Sequence, residues 1–270
     1  MIRSATWNKT AARRQFNLSG HGIVWISDFL APTLPAEGEA GSFPLPQAFL
    51  VEQSPDSAGK SHWHDEDQFQ VVTQGSGAIG RHEVTPHCVH YSNRQTGYGP
   101  VIAHGQGIAY FTLRQIITKG TWYLEDSKDL LDRQAPKRQL TSEPINALDA
   151  DALKALRQVV VQTLIAPQDD GMAAWLMQVP GGTRVTAPVT REGTGRYFVV
   201  VGGTLQVDDA VLPRLATVFV SHDEANFTVQ AGAAGLEVMV LQYPGGERVV
   251  KRRAQPASGQ GPAAKRRATP

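Results

Sequence analysis

Apolar and polar residues alternate along much of this chain with a period near two, in short runs that end at Gly, Pro, Asn or Ser. Between Phe49 and Arg114 the segments AFLVEQ, QFQVVTQG, GRHEV, CVHYSN and GIAYFTLRQ have this form, which is that of half-buried strands separated by turns. From Ala173 onward AAWLMQVPGG, GRYFVVVGGTLQV, ATVFVS, NFTVQAG and GLEVMVLQYP repeat it. Residues 1 to 50 set shorter apolar runs, such as Gly22-Ile23-Val24-Trp25-Ile26, between Pro-rich breaks, as edge strands wrapping a barrel do. Residues 122 to 147 are polar and read as a helical turn plus a linker. From Asp149 to Leu164 the apolar positions Leu153, Leu156, Val159, Val160 and Leu164 fall near a 3.6-residue spacing, which predicts the one sizeable helix.

The two strand-rich halves repeat each other. Gln68 to Gly75 lies over Gly195 to Gly202 at an offset of 127 (202 less 75), and Gly107 to Phe111 over Gly235 to Met239 at 128 (235 less 107). A duplication at near-constant offset indicates two copies of one fold. The expected class is all-β, two antiparallel barrels in tandem. Residues 1–121 form the first with its flanking edge strands, 122–165 a linker and helix, 166–247 the second, and 248–270 a disordered basic tail.

Composition narrows the partners. The formal net charge is +1, so the overall field calls for neither nucleic acid nor an anionic membrane, and a small-molecule ligand or substrate is expected. The single cysteine, Cys88, rules out an internal disulfide framework and suits a reducing compartment. No apolar run has signal-peptide length, and none approaches the roughly 20 residues that span a bilayer, so a cytoplasmic location is expected. The two Lys-Arg-Arg clusters of the tail read as a solvated terminus, with nucleic-acid binding or a localisation signal as the alternative.

The sharpest chemical feature is His62-Trp63-His64. On a strand the two imidazoles point to one face and Trp63 to the other. Gln68 follows His64 by four residues, and Gly75 follows Gln68 by seven. This arrangement resembles the first motif of the cupin superfamily, in which two histidines one residue apart precede a glutamate and then a glycine. The resemblance covers most of residues 49–114 and, more weakly, 173–244. It implies jelly-roll barrels, the first holding a divalent transition metal (Fe, Mn, Ni, Cu or Zn) on two histidines, a glutamate and a histidine of a second motif. This chain departs from the pattern twice: Gln68 stands at the glutamate position and Tyr98 at the second-motif histidine. Two imidazoles and one amide carbonyl leave a divalent charge uncompensated.

Glu66 has the strand parity of His62 and His64 and offers a substitute carboxylate. Tyr98 can ligate, orient substrate or move a proton. In the second half, the 127 offset carries His62, His64 and Gln68 onto Val189, Arg191 and Gly195, and the second motif onto Asn226 or Phe227, so no ligand set remains there. That half is expected to pack against the first or to close a homodimer. Gly75-Ser76-Gly77-Ala78-Ile79-Gly80 matches a dinucleotide fingerprint, but a strand rather than a helix follows, so it reads as a hairpin. His82, His87, His90 and His104 match no ligand spacing, and Cys88 reads as inert. Two functions stay open: a metal-dependent cupin enzyme, dioxygenase chemistry first, acting on a small oxygenated or aromatic metabolite; or a metal-free small-molecule-binding or scaffold bicupin.

Overall fold

The central strands carry apolar runs and are buried on both faces. The structure is a computed structural model that describes residues 1–7, 13–31, 45–118, 120–224 and 227–246. Among these the chain runs through β1 (Ile2–Ala5), β2 (Arg13–Asn17), β3 (Ile23–Leu30), β4 (Gln47–Gln53), β5 (Ala58–Gly59) and β6 (His62–Trp63). It continues through β7 (Gln68–Ile79), β8 (His82–Val84), β9 (Val89–Ser92), β10 (Val101–Arg114), β11 (Trp122–Tyr123) and α1 (Leu124–Ser127). Then come β12 (Gln139–Thr141), α2 (Ala150–Ala155), β13 (Val160–Ile165), β14 (Ala173–Val179) and β15 (Arg184–Thr186). The last strands are β16 (Arg196–Val207), β17 (Ala210–Pro213), β18 (Thr217–Val220) and β19 (Thr228–Gln242).

The strands form two antiparallel jelly-roll barrels. The first has the order β12-β9-β7-β10-β4-β3-β2, with β5 on β10 and β8 on β7; the second has β1-β18-β16-β19-β14-β13, with β15 on β19 and β17 on β16. Phe69, Val71, Phe111 and Leu113 face out of the first barrel and pack on Tyr197, Val199, Met239 and Leu241, which face out of the second. Each fully buried apolar side chain of this kind contributes about 1.5–3 kcal/mol. Opposite-parity residues fill the barrels: Phe49, Val51, Val72 and Tyr110 in the first, and Phe198, Val200, Val238 and Val240 in the second. No helix among the described residues is long and apolar enough to cross a membrane.

The duplication is exact in backbone detail at one strand crossing. Gly75 (φ 71°) and Gly107 (φ 75°) meet across β7 and β10 so closely that a Cβ on Gly75 would lie 2.0 Å from the Gly107 carbonyl oxygen. Gly203 (φ 66°) and Gly235 (φ 86°) do the same across β16 and β19, again at 2.0 Å. Both offsets are therefore 128 (203 less 75, 235 less 107), and Gln68 corresponds to Arg196 rather than to Gly195.

Three stretches differ from the sequence expectation. The helix expected over 149–164 stops after Ala155. Asp149 caps it by accepting from the Asp151 and Ala152 amides, and the β-branched Val159, Val160, Val161, Thr163 and Ile165 favour a strand; Val160–Ile165 accordingly pairs with β14. Residues 139–141, placed in the linker by composition, add to the first barrel against β9. Ile2–Ala5, placed with the first barrel, pairs with β18 of the second. The basic tail lies outside the described residues.

Candidate functional site

The site grows from the inner face of β7 and β10. Gln68 pairs with Arg114, Gln70 with Thr112 and Val72 with Tyr110, so an amide, a guanidinium, a second amide and a hydroxyl share the barrel interior. Beside them β6 carries His62, whose backbone exchanges hydrogen bonds with Tyr98 at 3.0 and 2.9 Å. That bridge brings the second-motif position, Tyr98, against the first. Trp63 points the other way, stacks on Trp122 with 5.2 Å between centroids and donates to the Ser127 hydroxyl, holding β6 in place.

One directed chain of hydrogen bonds links these groups. Arg114 donates from Nε (3.2 Å) and Nη2 (2.9 Å) to Oε1 of Gln68. Gln68 Nε2 donates to the Tyr98 hydroxyl at 2.6 Å. The hydroxyl lies 2.7 Å from His62 Nε2, and His62 Nδ1 lies 2.8 Å from the Lys60 carbonyl oxygen. A carbonyl only accepts, so Nδ1 of His62 carries the proton and Nε2 accepts a hydrogen bond from the Tyr98 hydroxyl. Arg114 Nη1 contacts Gln47 Oε1 (3.2 Å) and Thr118 Oγ1 (3.3 Å). His64 Nδ1 lies 3.1 Å from the Gly120 carbonyl, which leaves its Nε2 as an acceptor.

Electrostatics follow from burial. Desolvation lowers the His62 pKa to about 4, against a raising contact with the Lys60 carbonyl and with the Arg114 charge adding to the fall. His64 is held well below its ordinary value by burial, then by Arg114 and His62. Burial raises Tyr98 to about 12, opposed by Arg114 and Gln68. All three are neutral at pH 7. Burial also lowers the Arg114 pKa, but a guanidinium keeps its charge in proteins. Arg114 is 4% exposed and forms no ion pair among the described residues.

A cavity of about 330 Å³ opens beside this chain, lined by His62, His64, Gln70, Tyr98, Tyr110, Thr112 and Arg114 and walled by Val24, Ile26, Phe49 and Val51. The resemblance to metal-binding cupins implies an ion here, and the donor set does not fit one. Nε2 of His62 is occupied by the Tyr98 hydroxyl, and the Gln68 oxygen is taken by two guanidinium N–H groups, so a positive charge stands where a metal would require a negative one. Glu66 is buried but is absent from the cavity lining, because β6 ends at Trp63 and the turn before β7 breaks the parity that joined Glu66 to the histidines. No group of three or more His, Cys, Asp or Glu among the described residues is placed to hold a metal ion.

The structure thus brings His62, His64, Gln68 and Tyr98 together and leaves Glu66 aside. It adds Arg114 and Gln70, which belong to no motif in the sequence. Their signal was parity: Tyr110, Thr112 and Arg114 share one face of β10, opposite Phe111 and Leu113. In the second barrel the middle positions are apolar, with Phe198 for Gln70 and Val240 for Thr112, and Phe227 packs on Phe198 at 4.6 Å. Asn226 lies outside the described residues. Arg196 and Gln242 face each other there, the guanidinium and amide of the first barrel exchanged between strands. The His82, His87, His90 and His104 imidazoles converge on no metal cluster, and Cys88 is buried.

No protein-family model matches the chain, and neither does any curated protein. Solved structures do match. A "putative dioxygenase" from Nostoc punctiforme superposes with a TM-score of 0.59 at 11% identity, over 95% of this chain and 87% of that one. The bacterial pirin YhhW of Escherichia coli, in complex with nickel(II), gives 0.53 at 12%, over 91% and 100%. Vicilin from Corylus avellana gives 0.50 at 11%, over 90% and 85%. Strand order, internal repeat and these structural neighbours agree: the chain has the bicupin fold, two cupin-type jelly-roll barrels in tandem.

Proposed function

We propose that the first barrel is a metal-independent pocket for a small organic molecule. The observation that carries this reading is the Arg114–Gln68–Tyr98–His62 chain, which spends on internal hydrogen bonds the lone pairs that a cupin metal would use, while leaving a cavity of about 330 Å³ open beside it. Pockets that bury small ligands start at about this size, and they combine apolar walls with a few convergent polar groups. The second barrel, filled with apolar side chains, serves as the platform on which the first is built.

The contrary reading, a metal-dependent enzyme with dioxygenase chemistry on a small oxygenated or aromatic substrate, draws on His62-Trp63-His64 and on the nickel(II) complex of the E. coli pirin. Elemental analysis of the untagged protein, beside a His62→Ala/His64→Ala variant prepared identically, decides between them. The pocket reading expects sub-stoichiometric Fe, Mn, Ni, Cu and Zn in both proteins and a thermal midpoint unmoved by chelator. Near-stoichiometric metal in the parent, lost in the variant, overturns it.

A further inference from the structure

We propose that the ligand of the first barrel is a small hydroxycarboxylic acid, its carboxylate held by Arg114 and its hydroxyl donating to one of the two acceptors His64 Nε2 and Gln70 Oε1. This inference rests on the metal-independent reading above and adds the chemical class. Three independent features lead to it.

The first is charge. Arg14, Lys60 and Arg114 line the cavity, and among the described residues no carboxylate does. Arg14 and Lys60, at its rim, are already paired with Asp28 and Glu125. Arg114, at its base, has among the described residues only amide and hydroxyl oxygens as hydrogen-bond partners, namely Gln68, Gln47 and Thr118. The Glu66 and Asp65 carboxylates act on this cation only at a distance, without a hydrogen bond to it, so part of its desolvation cost is left unmet, and an anion entering the cavity supplies a direct charged partner.

The second is donor count. A guanidinium carries five N–H groups. Nε uses its one on Gln68, Nη1 its two on Gln47 and Thr118, and Nη2 one on Gln68, which leaves one Nη2 proton for a ligand oxygen. A carboxylate fits such a site with one charge-assisted bond and displaces none of the internal ones.

The third is a set of unmet acceptors. Gln70 is 2% exposed, lines the cavity, and its Oε1 has no hydrogen-bond partner. His64 Nε2 is an acceptor by the tautomer that Gly120 selects. Both call for an O–H or N–H donor on the ligand. An ammonium would enter a cavity that already holds a cation and, among the described residues, no carboxylate, so a neutral donor such as a hydroxyl matches better. Val24, Ile26, Phe49 and Val51 provide the apolar wall for the carbon skeleton.

The test is calorimetry on the full-length, chelator-treated protein with four acids, lactate, mandelate, 3-phenyllactate and salicylate, each beside its neutral amide, and with phenylacetate as the acid lacking a hydroxyl. The expected result is that at least one hydroxy acid binds about tenfold or more tightly than its amide, the least that loss of a charge-assisted hydrogen bond predicts, and more tightly than phenylacetate. Arg114→Gln is expected to abolish that preference. Because removing a buried cation endangers folding, Gln68→Glu serves as the second variant: it keeps Arg114, gives it an internal carboxylate of nearly the same shape, and is expected to fold and to lose acid binding by about tenfold or more. Amides binding as well as acids, acid affinity unchanged in Gln68→Glu, or no acid binding at all each overturns the hydroxycarboxylate assignment. Neutral compounds that bind the metal-free protein and are lost on Tyr98→Trp, which fills the cavity, would overturn the class while leaving the pocket reading standing; stoichiometric metal would overturn the reading itself.

Discussion

His62, His64 and His90 share one physical condition: each imidazole lies inside the first barrel, where the charged form cannot be hydrated. Burial lowers His90 to about 3, with His82 adding repulsion, and lowers His62 to about 4. Unfolded, these rings titrate near the ordinary 6.5. The folded-state values are depressed, so below about pH 6.5 the unfolded chain takes up protons that the folded chain refuses. Their contribution is complete above that pH and is lost as pH falls toward 4 for His62 and 3 for His90. Each such histidine tilts stability by up to about 1.4 kcal/mol per pH unit within its window. Urea denaturation near pH 7.5 and near pH 5 is expected to show a clear loss at the lower pH, smaller in His90→Gln; equal stabilities at the two values would mean that the rings are hydrated in the folded state. At this scale the sequence was legible where identity alone mattered: Gln68 and Tyr98 were seen to break the metal pattern. Arg114 was not legible, because a strand-end arginine is ordinarily solvated, and its burial depends on the register that sets it opposite Gln68.

The long central strand pair of each barrel, β7 with β10 and β16 with β19, depends on glycine at one crossing. Gly75 and Gly203 combine a positive φ with a partner carbonyl 2.0 Å from where a Cβ would sit, whereas Gly182 has a φ of 71° and open space around it. Strain alone costs about 1–2 kcal/mol, so Gly182→Ala isolates that contribution. Gly75→Ala and Gly203→Ala add a backbone clash that no side-chain rotation relieves, and are expected to cost about 3 kcal/mol or more. Denaturant midpoints for the three variants check the ordering; equal losses would show that conformational strain, not the close approach, is what the crossing requires. These elements were legible from their alternation and their repeated Gly positions. The segment after Ala155 was not, because Leu156, Val159, Val160 and Leu164 fit a helical face as well as a strand. The free edge of β14 selects the strand, and that edge cannot be read locally.

At the scale of the whole molecule, the two barrels share a face that also positions the candidate site. The Tyr243 hydroxyl donates to the Leu113 carbonyl at 2.6 Å. The Tyr197 hydroxyl lies 2.9 Å from the Gln47 carbonyl and 3.0 Å from the Arg114 carbonyl. Both tyrosines belong to the second barrel, and both grip the end of β10 that carries the guanidinium. The N-terminus links the halves again: Ile2–Ala5 pairs with β18, while Trp7 packs on Phe29 of the first barrel at 6.0 Å. Tandem duplication was legible in the offset of near 128 residues, but this exchange was not, since β1 carries little apolar signal and only its pairing assigns it. If the second barrel has become a platform, loosening its grip should be felt in the first. Tyr197→Phe and Tyr243→Phe remove hydroxyls while keeping the rings, so each is expected to cost about 0.5–1.5 kcal/mol of stability in urea denaturation. Tyr197→Phe, which frees the Arg114 carbonyl, is further expected to weaken hydroxy-acid binding severalfold, although the residue lies outside the cavity. Tyr243→Phe, one residue further from the guanidinium, should weaken it less. A loss of stability with unchanged affinity in Tyr197→Phe would place the anchoring of Arg114 within the first barrel alone, on Gln68 and Gln47, and would reduce the second barrel to a hydrophobic support.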